Sequence, residues 1–216
     1  MGDANLSTVT RWWWVRHATV PTGVGMVYGQ MDLDADCTDT APFEALAAYL
    51  PAGAILLTSD LKRTTQTADA IRAAGLAMPP ATVVPALREQ SFGDWQGMTH
   101  EEFAALGDTV PHRHWRAPAF MRAPNGESFA DLIARAAPAI TRLSTAHEGA
   151  DIVAVAHGGT IRAAMALALG LDPERALAFS TVNLGVTRLD YITDLAEGVA
   201  WRVTGVNWNP EFAARR

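Results

Sequence analysis

Five side chains suited to phosphoryl chemistry stand at or just beyond the ends of apolar runs: Arg16, His17, Arg63, Glu89 and His157. Arg16-His17 closes the run Trp12–Val15. Ser59-Asp60 closes Ala54–Thr58, with Arg63 one helical turn further on. Arg88-Glu89 closes Thr82–Leu87, and His157-Gly158-Gly159 closes Asp151–Ala156. Guanidiniums are planar, permanently charged donors that match phosphate oxygens. A neutral imidazole can attack phosphorus, and an unperturbed pKa of ~6.5 leaves much of it neutral near pH 7. Arginines beside it disfavour protonation further. A carboxylic acid is then needed to protonate the departing alkoxide, and Glu89 is the one at hand. Taken singly, each residue has a plainer reading. Arg16 and His17 could cap a strand and face water, Arg63 could be a helix-surface charge, Glu89 a loop charge, and His157 a core histidine bonded to a carbonyl. Their joint appearance at the ends of successive runs singles them out.

Such convergence requires buried strands that finish on one rim. In open α/β sheets the carboxyl ends of the strands are where ligands bind. The stretch Arg11–Ala18 holds four consecutive apolar residues, Trp12–Val15, and reads as a strand buried on both faces. Gly23–Asp39 is rich in Gly and Asp and reads as a long loop. Thr40–Leu50 and Leu61–Ala74 have helical periodicity, the second closed by Gly75. Ala54–Thr58, Thr82–Leu87 and Asp151–Ala156 read as strands. A short helix starts at Thr99 with the capping pair Thr99 and Glu102, and Ser128 caps a long helix reaching about His147. Helices are expected at Thr160–Leu169 and about Pro173–Phe179. Gly185–Ile192 and Val199–Val206 alternate more and read as paired edge strands. Val110–Asn125 reads as irregular, a lid candidate with a helical turn. Strands alternating with helices predict an α/β fold with a mostly parallel sheet, in one domain over 1–216 with flexible ends at 1–10 and 211–216.

Composition narrows the function classes. Of the 216 residues 49% are hydrophobic and 19% charged, which supports a sizeable core and disfavours disorder. The net charge of −6 and the absence of a Lys/Arg block disfavour a nucleic-acid-binding face, though a pocket can be positive while the whole is negative. Cys37 is the single cysteine, so no intrachain disulfide forms; a buried thiol and a cytoplasmic setting are expected. Phe43, six places after Cys37, excludes a Cys-x5-Arg phosphatase. Residues 1–10 lack a signal-peptide pattern, and no run nears the ~18 apolar residues of a membrane span. The glycines at 23, 25 and 29 miss the dinucleotide spacing, and no P-loop occurs. His112-x-His114 reads as surface, not as metal ligands.

The motifs together resemble the histidine phosphatase superfamily, in its phosphoglycerate-mutase-like branch. Arg16-His17-Ala18 is similar to the family's Arg-His-Gly. Ser59-Asp-Leu-Lys-Arg63-Thr-Thr-Gln66-Thr67-Ala68, Leu87-Arg88-Glu89 with Gly93, Trp95 and Gly97, Gly126-Glu127-Ser128, and Ala156-His157-Gly158-Gly159 follow in the family's order. The resemblance covers about residues 11–165. It implies an α/β/α three-layer sandwich and a phosphohistidine intermediate, without metal or nucleotide cofactor. It further implies that His17 is the nucleophile and that Arg16 and Arg63 clamp the phosphoryl group. His157 would donate to the transferring oxygens, and Glu89 would serve as proton donor to the leaving group and then as base for water. Substrate contacts are expected from Thr19, Ser59, Tyr28, Gln30 and Gly158 besides the two arginines.

The chain departs from the family pattern at Ala18, where Gly is usual, and at Val20 and Gly23, where Thr and Asn are frequent. A phosphate donor is therefore missing or supplied by Thr19 or Ser59. The stretch Tyr28-Gly29-Gln30-Met31-Asp32 resembles the substrate-side loop of members that act on α-ribazole phosphate. The shorter chain, with Phe92, Trp95 and Trp115 in the lid regions, favours a phosphatase over a mutase; core packing is the alternative for Trp95. The partner expected is a small phosphorylated metabolite, with no nucleic acid or membrane, and a homodimer is neither required nor excluded. A phospho-ligand-binding module with a weak site is the rival of another class. An esterase reading on Gly126-x-Ser128-x-Ala130 fails because no strand precedes it.

Overall fold

The computed structural model describes residues 7–107, 113–194, 196 and 198–209. Its centre is β1 (Thr8–Arg16), whose alternating side chains serve both faces of one sheet. Trp12 and Trp14 point to one face, stacked 4.8 Å apart and fully buried, while Val15 points to the other. Flanking helices must therefore cover both faces.

The chain continues through α1 (Ala41–Tyr49), β2 (Ile55–Thr58), α2 (Lys62–Ala73), β3 (Thr82–Val83) and α3 (His100–Ala105). There follow α4 (Phe129–Ala146), β4 (Asp151–Ala156), α5 (Gly158–Leu169), α6 (Pro173–Ala176), β5 (Val186–Asp194) and β6 (Gly198–Trp208). The sheet order is β3-β2-β4-β1-β5-β6. β3, β2, β4 and β1 pair in parallel, whereas β5 runs against both β1 and β6. Residues of α1 and α2 pack on the Val15 face with Leu56, Val153 and Val155. Residues of α4, α5 and α6 pack on the tryptophan face with Leu57, Ile152 and Ala154. The result is the three-layer α/β/α sandwich expected, with a mostly parallel sheet.

Both capping boxes form. Thr99 Oγ1 accepts from the Glu102 N–H at 3.1 Å, and Ser128 Oγ from the Asp131 N–H at 3.1 Å, each acid reaching back to the cap residue. Each cap contributes about 1 kcal/mol.

Several boundaries differ from expectation for identifiable reasons. Thr8–Thr10, read as part of a flexible end, opens β1 and pairs with β5; residues 1–6 and 210–216 lie outside the described residues. The strand read over Thr82–Leu87 stops at Val83, because Pro85 has no N–H to donate and starts a 3₁₀ turn to Leu87. α5 begins at Gly158 and not Thr160, while α6 ends at Ala176. β5 is no edge strand. Its Asp190 is fully buried because Arg202 and Arg188 pair with it, so a charged residue stands in an interior strand. Cys37 is half-buried, and burial raises its thiol pKa. Residues 113–125 form bends and turns without a helix, and 110–112 lie outside the described residues. Among the described residues no helix is long and apolar enough to cross a membrane.

Candidate active site

Strand register brings the two imidazoles together. Arg16 of β1 pairs with Ala156 of β4, and Thr58 of β2 pairs with Val155, so His17, His157 and Ser59 leave adjacent strands on one rim. The His17 and His157 rings meet edge-on with centroids 5.3 Å apart, and both are buried. His17 Nδ1 lies 2.7 Å from the Ala18 carbonyl oxygen. A carbonyl only accepts, so Nδ1 carries the proton of the neutral ring and Nε2 keeps its lone pair. Burial first, then the Arg63 and Arg16 guanidiniums, hold the His17 pKa well below the ordinary 6.5. His157 is held down likewise, by burial and then by Arg63, His17, Arg16 and Arg135. Its Nε2 contacts Ser59 Oγ at 2.8 Å and its Nδ1 accepts from Arg63 Nε at 3.3 Å.

The arginines are fixed by backbone carbonyls. Arg63, fully buried on the first turn of α2, donates to Met31 O at 2.7 Å and Gly29 O at 2.6 Å, and lies over the Tyr28 ring at 5.2 Å. Arg16 donates from one terminal nitrogen to Thr181 O at 2.5 Å. Its Nε is a buried donor with no partner, and it stands beside Gly158, where α5 begins. An orphan guanidinium N–H next to a helix N-terminus is suited to receive an anionic oxygen.

Glu89 sits across this helix start. The Gly159 N–H points between its two carboxylate oxygens, 3.1 Å from each, and the Gln90 N–H donates to Oε1 at 2.9 Å. The loop behind is held from several sides. Arg135 donates to the carbonyls of Ala86, Arg88 and Glu89 and pairs with Glu127 at 2.8 Å, while Gln30 Nε2 donates to Glu89 O at 2.8 Å. Thr160 Oγ1 ties α5 to Arg88 O at 2.9 Å.

A pocket of about 380 Å³ is lined by Arg16 and Gly158, the chain neighbours of the two buried histidines, and by Glu89, Trp115, Arg116 and Arg162 among others. Arg162 stacks on Trp115 at 4.6 Å and donates to Phe179 O and Thr181 Oγ1. Burial pushes its pKa down to about 10, against the pull of Glu89. A second arm of the opening is lined by Met26, Tyr28, Phe92 and Trp115. Fixed cations and a carboxylic group line one concave site, with the His17 and His157 imidazoles buried next in the chain to its Arg16 and Gly158, a set of groups suited to transfer of a phosphoryl group.

A family model for the histidine phosphatase superfamily (branch 1) matches residues 12–204. The chain belongs to that superfamily. It is an enzyme, a phosphatase of the histidine phosphatase type. A glucosyl-3-phosphoglycerate phosphatase of Mycolicibacterium vanbaalenii is 34% identical over 204 residues, covering 85% of this chain and 88% of that protein. A metal-independent phosphoserine phosphatase of Arabidopsis thaliana is 30% identical, covering 73% and 68% of the two chains. The solved native structure of a mycobacterial glucosyl-3-phosphoglycerate phosphatase superposes with a TM-score of 0.78 at 28% identity, covering 93% of this chain and 99% of that one.

In this histidine phosphatase, Arg16, His17, Arg63, Glu89 and His157 do gather at one end of the sheet. Gly158 and Tyr28 line the two arms of the opening. Ser59 instead backs His157, and Gln30 holds the Glu89 loop from behind. Thr19 is exposed and lines a separate cavity with Asp36, Asp39 and Asn183, so the structure does not bring it to the pocket. Phe92 and Trp115 line the site, and Trp95 packs edge-on against Phe103 at 5.0 Å in a small core that Phe92 shares. The Tyr28–Asp32 stretch is occupied by Arg63: it supplies the ring beneath that guanidinium and the Gly29 and Met31 carbonyls that hold it. Residues that the sequence did not single out are Arg162, Arg135, Thr181 and Asn183. Arg135, Thr181 and Asn183 act through long-range contacts with no local pattern to mark them, while Arg162 follows Gly158 by one helical turn and donates to its carbonyl at 3.1 Å.

Proposed function

We propose that this histidine phosphatase hydrolyses phosphomonoesters of small metabolites through a phosphohistidine on His17, without a metal ion. His17 Nε2 attacks phosphorus; the new P–N bond forms as the ester P–O bond breaks. Glu89 gives its proton to the departing alkoxide oxygen. Water then attacks the phosphohistidine, Glu89 takes up its proton, the P–N bond breaks and inorganic phosphate leaves. Arg16, Arg63, His157 and the Gly158 end of α5 face the equatorial oxygens, where charge is greatest in the transition state. Ser59 supports His157, and Tyr28 supports Arg63. The observation that carries this reading is the 2.7 Å bond from His17 Nδ1 to the Ala18 carbonyl, which leaves the lone pair on the other ring nitrogen of an imidazole packed 5.3 Å from that of His157.

The substrate we favour carries a second anionic group on its leaving alcohol. Arg113, Arg116 and Arg162 line the pocket with Trp115. That lining suits the carboxylate of a phosphoglycerate-type ester better than the uncharged nucleoside-like leaving group of α-ribazole phosphate. The single cysteine fits a cytoplasmic enzyme.

The test is hydrolysis of a phosphomonoester panel with EDTA present, covering p-nitrophenyl phosphate, phosphoserine, phosphoglycerates, glucosyl-3-phosphoglycerate and α-ribazole phosphate. Turnover that survives EDTA and disappears in His17→Ala supports the proposal. Loss of turnover on chelation contradicts it. Delivery of the phosphoryl group to a second alcohol in place of water would mark mutase chemistry, and binding without turnover would mark a ligand-binding module.

A further inference from the structure

The turn between α6 and β5 lies outside every motif used above, yet it reaches the proposed nucleophile. Asn183 Nδ2 donates to the carbonyl of His17 at 2.8 Å and to that of Ala18 at 3.2 Å. Both partners are acceptors only, so the amide must present its NH₂ to them, and its orientation follows from the chemistry. The Ala18 oxygen is the same atom that receives His17 Nδ1–H. The Ala18 N–H, on the other side, donates to Thr67 Oγ1 at 2.9 Å, and Thr67 is anchored on Arg63 O at 2.6 Å. The peptide groups following the imidazole are thus pinned from α2 on one side and from Asn183 on the other.

The turn that carries Asn183 is held firmly. Leu184 has φ 59°, a left-handed conformation that a leucine adopts only when its surroundings impose it. Its N–H donates to Arg16 O at 2.9 Å, and the Arg16 N–H donates to Gly185 O at 3.2 Å. Asn207 Oδ1 accepts from the Val182 N–H at 2.7 Å.

We infer that Asn183 is a positioning residue for the phosphoryl transfer: by fixing the Ala18 carbonyl it keeps the His17 proton on Nδ1 and the lone pair on Nε2. The inference rests on the reading of His17 as nucleophile. When phosphorus bonds to Nε2, positive charge develops on the ring and the Nδ1–H bond strengthens against a carbonyl already aimed at it. Without the amide, the Ala18 peptide is free to turn, Nδ1 loses its acceptor, and the proton can occupy Nε2, where it blocks attack. The group behind a functional imidazole decides which nitrogen is protonated, and removing such a group from metal-bound histidines typically costs about 10- to 100-fold.

The experiment uses the full chain with Asn183→Leu, which keeps the size and removes both donors. Asn183→Ser is the second variant should leucine disturb the turn. Two readouts are taken: the His17 tautomer from imidazole ¹⁵N shifts in the resting protein, and the rate of phosphoenzyme formation from p-nitrophenyl phosphate by rapid quench. Expected are a wild-type Nδ1–H ring, a gain of the Nε2–H form in the folded variant, and phosphoenzyme formation slowed at least about tenfold with KM within about twofold. A folded variant that keeps the Nδ1–H ring, or that forms phosphoenzyme at the wild-type rate, overturns the assignment. Absence of phosphoenzyme on His17 in the wild type overturns the underlying reading instead, so the two failures are distinguishable.

Discussion

The Gly159 N–H lies 3.1 Å from both carboxylate oxygens of Glu89, and a Cβ built on Gly159 would collide with that carboxylate and come within 2.9 Å of Leu132 Cδ2. The glycine is the space in which the acid sits. Gly159→Ala is therefore expected to fold, because the end of a Glu side chain can swing aside, but to move the carboxylate off the helix start. Turnover of alkyl phosphates should fall at least about tenfold while p-nitrophenyl phosphate turnover changes less. Equal rates on both substrates, relative to wild type, would show that the carboxylate does not need this place.

Glu89→Gln tests the acid itself. General acid catalysis contributes about 10²- to 10⁴-fold where the leaving group needs a proton. An alkyl phosphate should lose turnover within that range, whereas p-nitrophenyl phosphate, whose leaving group departs as a stable anion, should lose less than about tenfold. Parallel loss on both would remove Glu89 from the acid role.

Arg63 is read by product inhibition. Its guanidinium lies against His157 and is held by the Gly29 and Met31 carbonyls. A hydrogen bond to a charged group contributes about 1.5–3 kcal/mol, so Arg63→Ala should raise the inhibition constant of inorganic phosphate by about 10- to 100-fold. An unchanged constant would mean that Arg63 serves only to hold the loop. The variant should also unfold at lower denaturant concentration, since two carbonyls lose their donor.

How much of this was legible beforehand depended on whether the signal was local. β4 and α4 were readable because one is a continuous apolar run and the other opens on a capping box, and the gathering of Arg16, His17, Arg63, Glu89 and His157 follows from parallel strands ending together. β5 was misread as an edge because Arg188 and Asp190 look solvated until Arg202, on the neighbouring strand, neutralises the buried acid. Thr19 was misplaced because adjacency to His17 in sequence says nothing of direction; the chain turns, and the side chain enters another cavity. Arg135 and Asn183 reach the site across long sequence separations, 165 residues for Asn183 and Ala18, so no spacing could have shown them, whereas Arg162 stands one helical turn after Gly158 and is set apart only by its contact with Trp115.

Stability should depend on pH through the two imidazoles. Their folded pKa values lie well below 6.5, chiefly because burial opposes the charged form. Below about pH 6.5 the unfolded chain binds protons that the folded chain refuses, so stability is full above that value and is lost as the pH falls toward the folded pKa values. Each imidazole contributes about 1.4 kcal/mol per pH unit at full slope. Urea unfolding at pH 7.5 and 5.5 should differ by about 2–3 kcal/mol through this pair, and His157→Gln should remove about half of it. Equal pH dependence in wild type and His157→Gln would contradict the buried neutral pair.

The most direct measurement is chemical trapping of the enzyme during turnover. Mixed with a ³²P-labelled phosphomonoester in EDTA and quenched in alkali within milliseconds, the protein should carry label that survives alkali, is released by acid and maps to His17, with none in His17→Ala. Steady hydrolysis without label on His17, or wild-type turnover by His17→Ala, would contradict the account.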